Sequence, residues 1–234
     1  MKIMILNNSG NVGKSFFSRE FFLPNFEDGK IVEIESNNSS SSNFDIDVEK
    51  ITAKEIARLN EFTLQYDNLI IDVGASQIEN FFERLKQYDN LLYEIDLIVV
   101  PVPENTKEME DSIIVLETLS ELELGIPIKI FLNKVENLSE FDFFIDEAEV
   151  RNYKIDNNLI FEKYLVVKDL DKNKILSSTI TNSKKDFREM AKEAYKSGDT
   201  EKGKDLAKKV TLQQQCIALR KDLDKKFAYL ISTL

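Results

Sequence analysis

An α/β fold, a doubly wound and mostly parallel sheet with a helical C-terminal extension, is predicted by three observations. Short apolar runs alternate with segments of helical spacing, as βαβ units require. Two of the runs, Leu69–Val73 and Ile95–Val102, are apolar almost without break, as expected of strands covered on both faces. A Gly-containing polar loop, Asn8 to Ser15, separates the first run, Lys2–Asn7, from the first helix, Ser15–Phe22. Lys30–Glu35 alternates and is predicted as the second strand, and the low-complexity stretch Ser36–Asn43 as a surface loop or switch. Ile51–Gln65 carries helical spacing. Leu69–Val73 is then the third strand, ending in Asp-Val-Gly, and Ser76–Tyr88 the next helix. After Ile95–Val102 comes a long helix, Asn105–Glu123, stopped by Gly125. Ile126–Leu132 is a further apolar strand. Phe141–Tyr153 is a Phe-rich helix, Leu159–Val167 holds a last strand, and Ser183–Leu234 is helical with interruptions near Gly198 and Gly203. The domain division this implies is 1–180 for the α/β body and 181–234 for the extension, packed on or assembled with it.

Composition removes several chemistries. The 234 residues contain no His, which excludes Ser-His-Asp triads, His-based general acid–base catalysis and H-E-x-x-H zinc sites. Cys216 is the single cysteine, so there is no internal disulfide and no Cys-based zinc cage, and a reducing compartment fits. No 18-residue apolar run is present, and the polar turn after Leu6 argues against a signal peptide or a membrane span. The net charge of −11 is uneven. Met1–Glu162 holds 14 basic and 32 acidic residues, whereas Lys163–Leu234 holds 17 and 10, a balance of −18 against +7. The acidic body repels nucleic acid and anionic lipid; the basic tail could attract either, or could simply solvate helices.

The loop Asn8-Ser9-Gly10-Asn11-Val12-Gly13-Lys14-Ser15 is placed where a phosphate-binding loop belongs, between a first strand and a first helix. Its main-chain amides and the helix start would point at phosphates. Gly13 lets the main chain approach, Lys14 would bridge β- and γ-phosphate oxygens, and the Ser15 hydroxyl would ligate Mg2+. The pattern G-x-x-x-x-G-K-[ST] has Asn8 at its first position here, and Asn tolerates positive φ better than most residues. Asp72 at a strand end would hold Mg2+ through water, with Gly74 allowing the next loop to respond to the γ-phosphate. Glu33 and Glu35, two apart on a strand, share a face and could order the attacking water; the competing reading is a pair of solvated carboxylates. Asn133 and Lys134 in Asn-Lys-Val-Glu could exchange hydrogen bonds with a purine edge. Glu136 stands where the guanine-reading pattern has Asp, so ATP and GTP both remain open on the residues alone.

The phosphate loop, Asp72–Ser76, Asp96–Val102, Leu124–Pro127, Phe131–Lys134 and the segment Gln215–Phe227 together resemble the StbB family of plasmid stability proteins, a branch of the ParA/MinD-like P-loop ATPases. The resemblance implies a cytoplasmic, Mg-ATP-dependent ATPase or nucleotide switch in plasmid maintenance or conjugative transfer. It implies a DNA-binding partner protein and allows a homodimer. Lys14, Ser15, Asp72 and Asn133 carry over as site residues, and Glu33 and Glu35 fall where relatives carry switch acids. Relatives carry a second loop lysine where this chain has Ser9, which puts a trans-acting phosphate contact and strong turnover in question. Two other readings compete: a nucleotide-binding adaptor whose output is dimerisation or docking, and surface targeting by the C-terminal helix. In the last, Leu219, Leu223, Phe227, Leu230 and Leu234 form an apolar stripe beside basic residues, suited to a membrane, to DNA, or to packing on the body.

Overall fold

The computed structural model describes residues 1–36, 44–87 and 92–234. The Ser-rich switch expected at Ser36–Asn43 therefore lies, from residue 37 onward, outside the described residues. The chain divides into two compact units. One takes in Met1–Ser42, Ile46–Lys163 and Lys226–Leu234; the other takes in Asn43–Asp45 and Tyr164–Lys225.

The first unit is built on a seven-stranded sheet whose strand pairs are all parallel. Its strands are β1 (Lys2–Leu6), β2 (Lys30–Ile34), β3 (Val48–Ile51), β4 (Leu69–Val73), β5 (Leu97–Pro103), β6 (Ile128–Val135) and β7 (Ile160–Glu162), in the order β3-β2-β4-β1-β5-β6-β7. The chain winds to one side of β1 first and returns to the other at β5, so the C-terminal end of β1 lies at the switch point where open α/β sheets bind ligands. β4 and β5 are buried along their whole lengths, which is why they carry no alternation. Helices α2 (Leu59–Gln65), α3 (Ile78–Leu85), α4 (Thr106–Glu121) and α5 (Asp142–Val150) supply the apolar residues that cover the sheet. Asn105 caps α4, its side chain accepting from the Lys107 amide at 3.1 Å.

Helix α1 starts at Lys14–Phe16 and continues as a π-wound stretch, Phe17–Phe22. The wider turn explains the Phe pattern: it brings Phe17, Phe21 and Phe22 to one side, where an α-helix would rotate Phe22 away. Their rings meet Phe131 of β6 and Phe161 of β7, with Phe17 4.7 Å from Phe161 and 5.1 Å from Phe131. Phe227 joins them, 5.8 Å from Phe21 and 5.9 Å from Phe26.

Several sequence expectations are corrected. Val48–Ile51 is an edge strand preceding the helical segment; Val-Glu-Lys-Ile is too short and too charged to announce itself. β2 is buried at all five positions rather than alternating. β6 extends through Asn133 and Lys134, which lie in the strand at a bulge instead of after it. The last strand is only Ile160–Glu162, and a helix, α6, occupies Val166–Asn173.

In the second unit, α6 is followed by α7 (Ser177–Thr181), α8 (Phe187–Lys196) and the start of α9 (Thr200–Ser232). Asp186 caps α8, accepting from the Glu189 amide at 3.0 Å. Gly198, at φ +83°, turns the chain into α9. Phe187, Ala191, Ala194 and Leu206 form a small apolar cluster, and Lys209 lies over the Phe187 ring. Gly203 does not interrupt α9; a Cβ there would stand 2.7 Å from the Tyr195 ring, so its absence lets the two helices close up. Of the C-terminal stripe, Leu219, Leu223 and Leu230 are buried, Phe227 is half-buried and Leu234 at the end is exposed. No described helix is long and apolar enough to cross a membrane.

Candidate functional site

The loop from β1 to α1 is fixed from both flanks by side chains outside it. On one side, the Asn7 amide donates to the Pro101 carbonyl at 2.9 Å and to Ser112 Oγ at 2.7 Å, and its Oδ1 accepts from the Ser9 amide at 2.9 Å. The Ser9 hydroxyl donates to the Asp111 carboxylate of α4. On the other side, Asn133 Nδ2 donates to the Val12 carbonyl at 2.8 Å, and the Lys134 ammonium donates to the Asn11 carbonyl. The β6 bulge puts Lys134 at φ +59° and turns it to the loop. Positive φ falls at Asn11 (+57°) and Gly13 (+110°), whereas Asn8, where it was expected, does not use it. Gly13 is required twice over, because a Cβ there would also stand 2.1 Å from Asn133 Nδ2. Among the described residues no acceptor takes up the main-chain amides from Gly10 to Lys14. An anion arriving at the loop therefore finds a row of open N–H groups at a helix start.

Beneath that row, Lys14 is 8% exposed and folds back so that Nζ donates to the carbonyls of Ser9 (2.7 Å) and Asn7 (3.1 Å). Burial pushes its pKa down, and the carboxylates of Asp72 and Glu35 push the other way. Asp72, at the end of β4, is 5% exposed. It accepts from the Ser15 hydroxyl and from Ser18 Oγ at 3.3 Å. Burial raises its pKa from 3.8 to about 6, with Glu33 adding to the rise and Lys14 and the two serines opposing it. The register explains the Glu33 effect: Glu33 of β2 pairs with Asp72 on one side and with Lys50 of β3 on the other. Lys50 Nζ lies 3.6 Å from the Glu33 carboxylate, which is buried, not solvated. Glu35 sits just past β2. Its Oε2 accepts from Ser76 Oγ at 3.0 Å and from the Ser36 amide at 3.2 Å.

The structure thus brings Lys14, Ser15, Asp72, Glu33 and Glu35 together at the C-terminal ends of β1, β2 and β4. Asn133 is placed on the phosphate loop itself, where it tethers Val12. Asn7, Ser18, Lys50, Asp111 and Ser76 complete the surroundings and were not singled out in the sequence. Only Ser18 left a usable trace: it stands three residues after Ser15 and four after Lys14, on the same side of α1. Asn7 and Ser76 adjoin the loop and Asp72 in the chain without a spacing that marks their role, whereas Lys50 and Asp111 reach the site through tertiary structure, which local spacing does not carry.

The donor set suits Mg2+: a buried carboxylate and a hydroxyl already in contact supply hard oxygen atoms, leaving the other positions to phosphate and water. No group of three or more acidic or cysteine side chains able to hold a metal by itself occurs among the described residues.

No family model and no curated protein sequence matches the chain. Its fold is nevertheless shared with solved structures. The MinD cell division protein of Aquifex aeolicus superposes with a TM-score of 0.51 at 13% identity, over 79% of this chain and 90% of that one. Apo McdA of Cyanothece gives 0.52 at 14% identity, over 76% and 92%. A chain of the MinC:MinD cell division protein complex of Aquifex aeolicus gives 0.51 at 12% identity, over 74% and 86%. The architecture is one that this chain shares with the MinD and McdA structures. At these identities the likeness establishes the fold and leaves the chemistry to the site.

Proposed function

We propose that this chain is a Mg-ATP-dependent P-loop ATPase acting as a nucleotide switch in plasmid maintenance, alongside a DNA-binding partner protein. One observation carries the nucleotide reading: a loop whose main-chain amides from Gly10 to Lys14 meet no acceptor among the described residues leads into Lys14 and Ser15, and Asp72 at the neighbouring strand end lies in the same site. Lys14 would leave the Asn7 and Ser9 carbonyls for the β- and γ-phosphate oxygens. Ser15 and Asp72 would hold Mg2+, which neutralises charge on the phosphates when bound. Glu35, with Glu33 behind it, would orient the attacking water. The fold shared with MinD and McdA supports this reading, and the motif resemblance to StbB proteins supports the plasmid role. Lys14→Ala tests it. Calorimetry is expected to show Mg-ATP binding abolished, and an unchanged affinity would overturn the reading.

One feature favours slow turnover. Ser9 stands where ParA/MinD relatives carry their second loop lysine, and its hydroxyl is bound to the Asp111 carboxylate, so that position offers the phosphates no cation. In this version the chain is a nucleotide-binding adaptor whose output is dimerisation or partner docking. Steady-state phosphate release, with and without DNA and partner, separates the two: release at background under every condition leaves the adaptor.

A further inference from the structure

We propose that Ser76 is a positioning residue of the phosphate site, holding the Glu35 carboxylate in place once a phosphate occupies Lys14. The inference rests on the nucleotide reading above and deepens it. Glu35 follows β2 and Ser76 follows β4, and the two strand ends are stitched by the Gly74 amide donating to the Ile34 carbonyl at 2.9 Å. Gly74 makes the seat. Its φ of −64° is open to any residue, so its role is space: a Cβ there would stand 2.3 Å from the carboxyl carbon of Glu35. Into that space Ser76 Oγ donates at 3.0 Å, and the neighbouring Ser36 amide reaches the same oxygen at 3.2 Å.

Two kinds of hold therefore act on one carboxylate. The first is charge, because Glu35 lies near enough to Lys14 to stabilise its ammonium. The second is the pair of neutral donors. A γ-phosphate carries more charge than a carboxylate and takes Lys14 for itself, so the first hold weakens when nucleotide binds. The Ser36 amide moves with Glu35, being its chain neighbour. Ser76 belongs to a different strand end, and it is the donor that can keep Glu35 in register with the phosphates. It also ties the β2 loop to the β4 loop, so that a change at one reaches the other.

The test uses the full chain with Ser76→Ala, Ser76→Thr and Glu35→Gln. Ser76→Ala is expected to lower kcat about tenfold while the Kd for Mg-ATP stays within about twofold, and Ser76→Thr to restore kcat by returning the hydroxyl. Added to Glu35→Gln, Ser76→Ala should lower kcat no further, because the hydroxyl acts through the carboxylate. In the nucleotide-free protein, Ser76→Ala should speed hydrogen exchange at the Ser36 amide severalfold. Wild-type kcat in Ser76→Ala, or a further loss on Glu35→Gln, would overturn the proposal while leaving the ATPase reading intact. Should the wild type show no turnover, the exchange measurement decides: an unchanged Ser36 amide overturns it.

Discussion

Replacing Asp72 with Asn removes a charge that the native fold holds at a cost. The carboxyl titrates near 3.8 in an unfolded chain and near 6 in the native site, with the attraction of Lys14 already included. That difference is about two units, and at about 1.4 kcal/mol per unit it amounts to roughly 3 kcal/mol. Its sign follows from the protons: between pH 3.8 and 6 the native state keeps a proton that the unfolded state has lost. Stability contributed by this residue therefore falls as pH rises through that window and stays at its lower level above pH 6. Asn cannot ionise, and its Oδ1 can still accept from Ser15 and Ser18. Asp72→Asn is thus expected to be more stable than wild type by about 3 kcal/mol at pH 7.5, or roughly 6–12 °C in Tm for a chain of this size. Near pH 4 the two proteins should melt together. The assay is urea and thermal unfolding followed by circular dichroism at both pH values, with Mg-ATP calorimetry alongside. Nucleotide binding that depends on Mg2+ should be lost as stability is gained. A variant no more stable than wild type at pH 7.5, or a difference that does not change with pH, would refute the reasoning.

The same carboxyl sets a pH limit on binding: Mg-ATP affinity should fall about tenfold per unit below pH 6, because Asp72 must lose its proton to serve the cation, and calorimetry at pH 5 and 7.5 checks this. Gly13→Ala combines a backbone at φ +110° with a Cβ aimed at Asn133 Nδ2. It should lower stability by about 1–3 kcal/mol and abolish nucleotide binding, as read from the urea midpoint and calorimetry. Phe227→Ala removes ring contacts with Phe21, Phe22 and Phe26, and should lower stability by about 2–4 kcal/mol in a urea titration. Because these rings lie beyond the phosphate loop, Mg-ATP affinity of the folded Phe227→Ala protein should stay within severalfold of wild type.

The parts of the site that were legible in the sequence are those whose chemistry is local. Gly13-Lys14-Ser15 announces itself because three consecutive residue types each have a task at one helix start. Asp72 is marked by the apolar run it terminates. Glu33 and Glu35 were visible as acids but not as distinct ones. Burial between Asp72 and Lys50 distinguishes the first, and a seat over Gly74 the second. Edge strand β3 went unread because four residues, two of them charged, have too little hydrophobic pattern to signal an edge. Asn133 donates one amide hydrogen to the Val12 carbonyl, a contact 121 positions away in the chain that no local spacing announces.

What the sequence by itself determined is the alternation of strand and helix, the place of the phosphate loop within it, and the absence of any imidazole or disulfide chemistry. Those follow from side-chain period and residue type, which act over a turn or a strand. The tertiary structure alone decided which strands neighbour β1, and hence that Lys50, Glu33 and Asp72 form one charged row beside Lys14. It also decided that Asn7, Asn133 and Lys134 clasp the loop, and that Leu219, Leu223 and Leu230 of the C-terminal stripe are buried. Strand order is a global choice about which apolar faces are covered together, and the electrostatic environment of a buried carboxyl depends on that choice more than on its neighbours in the chain.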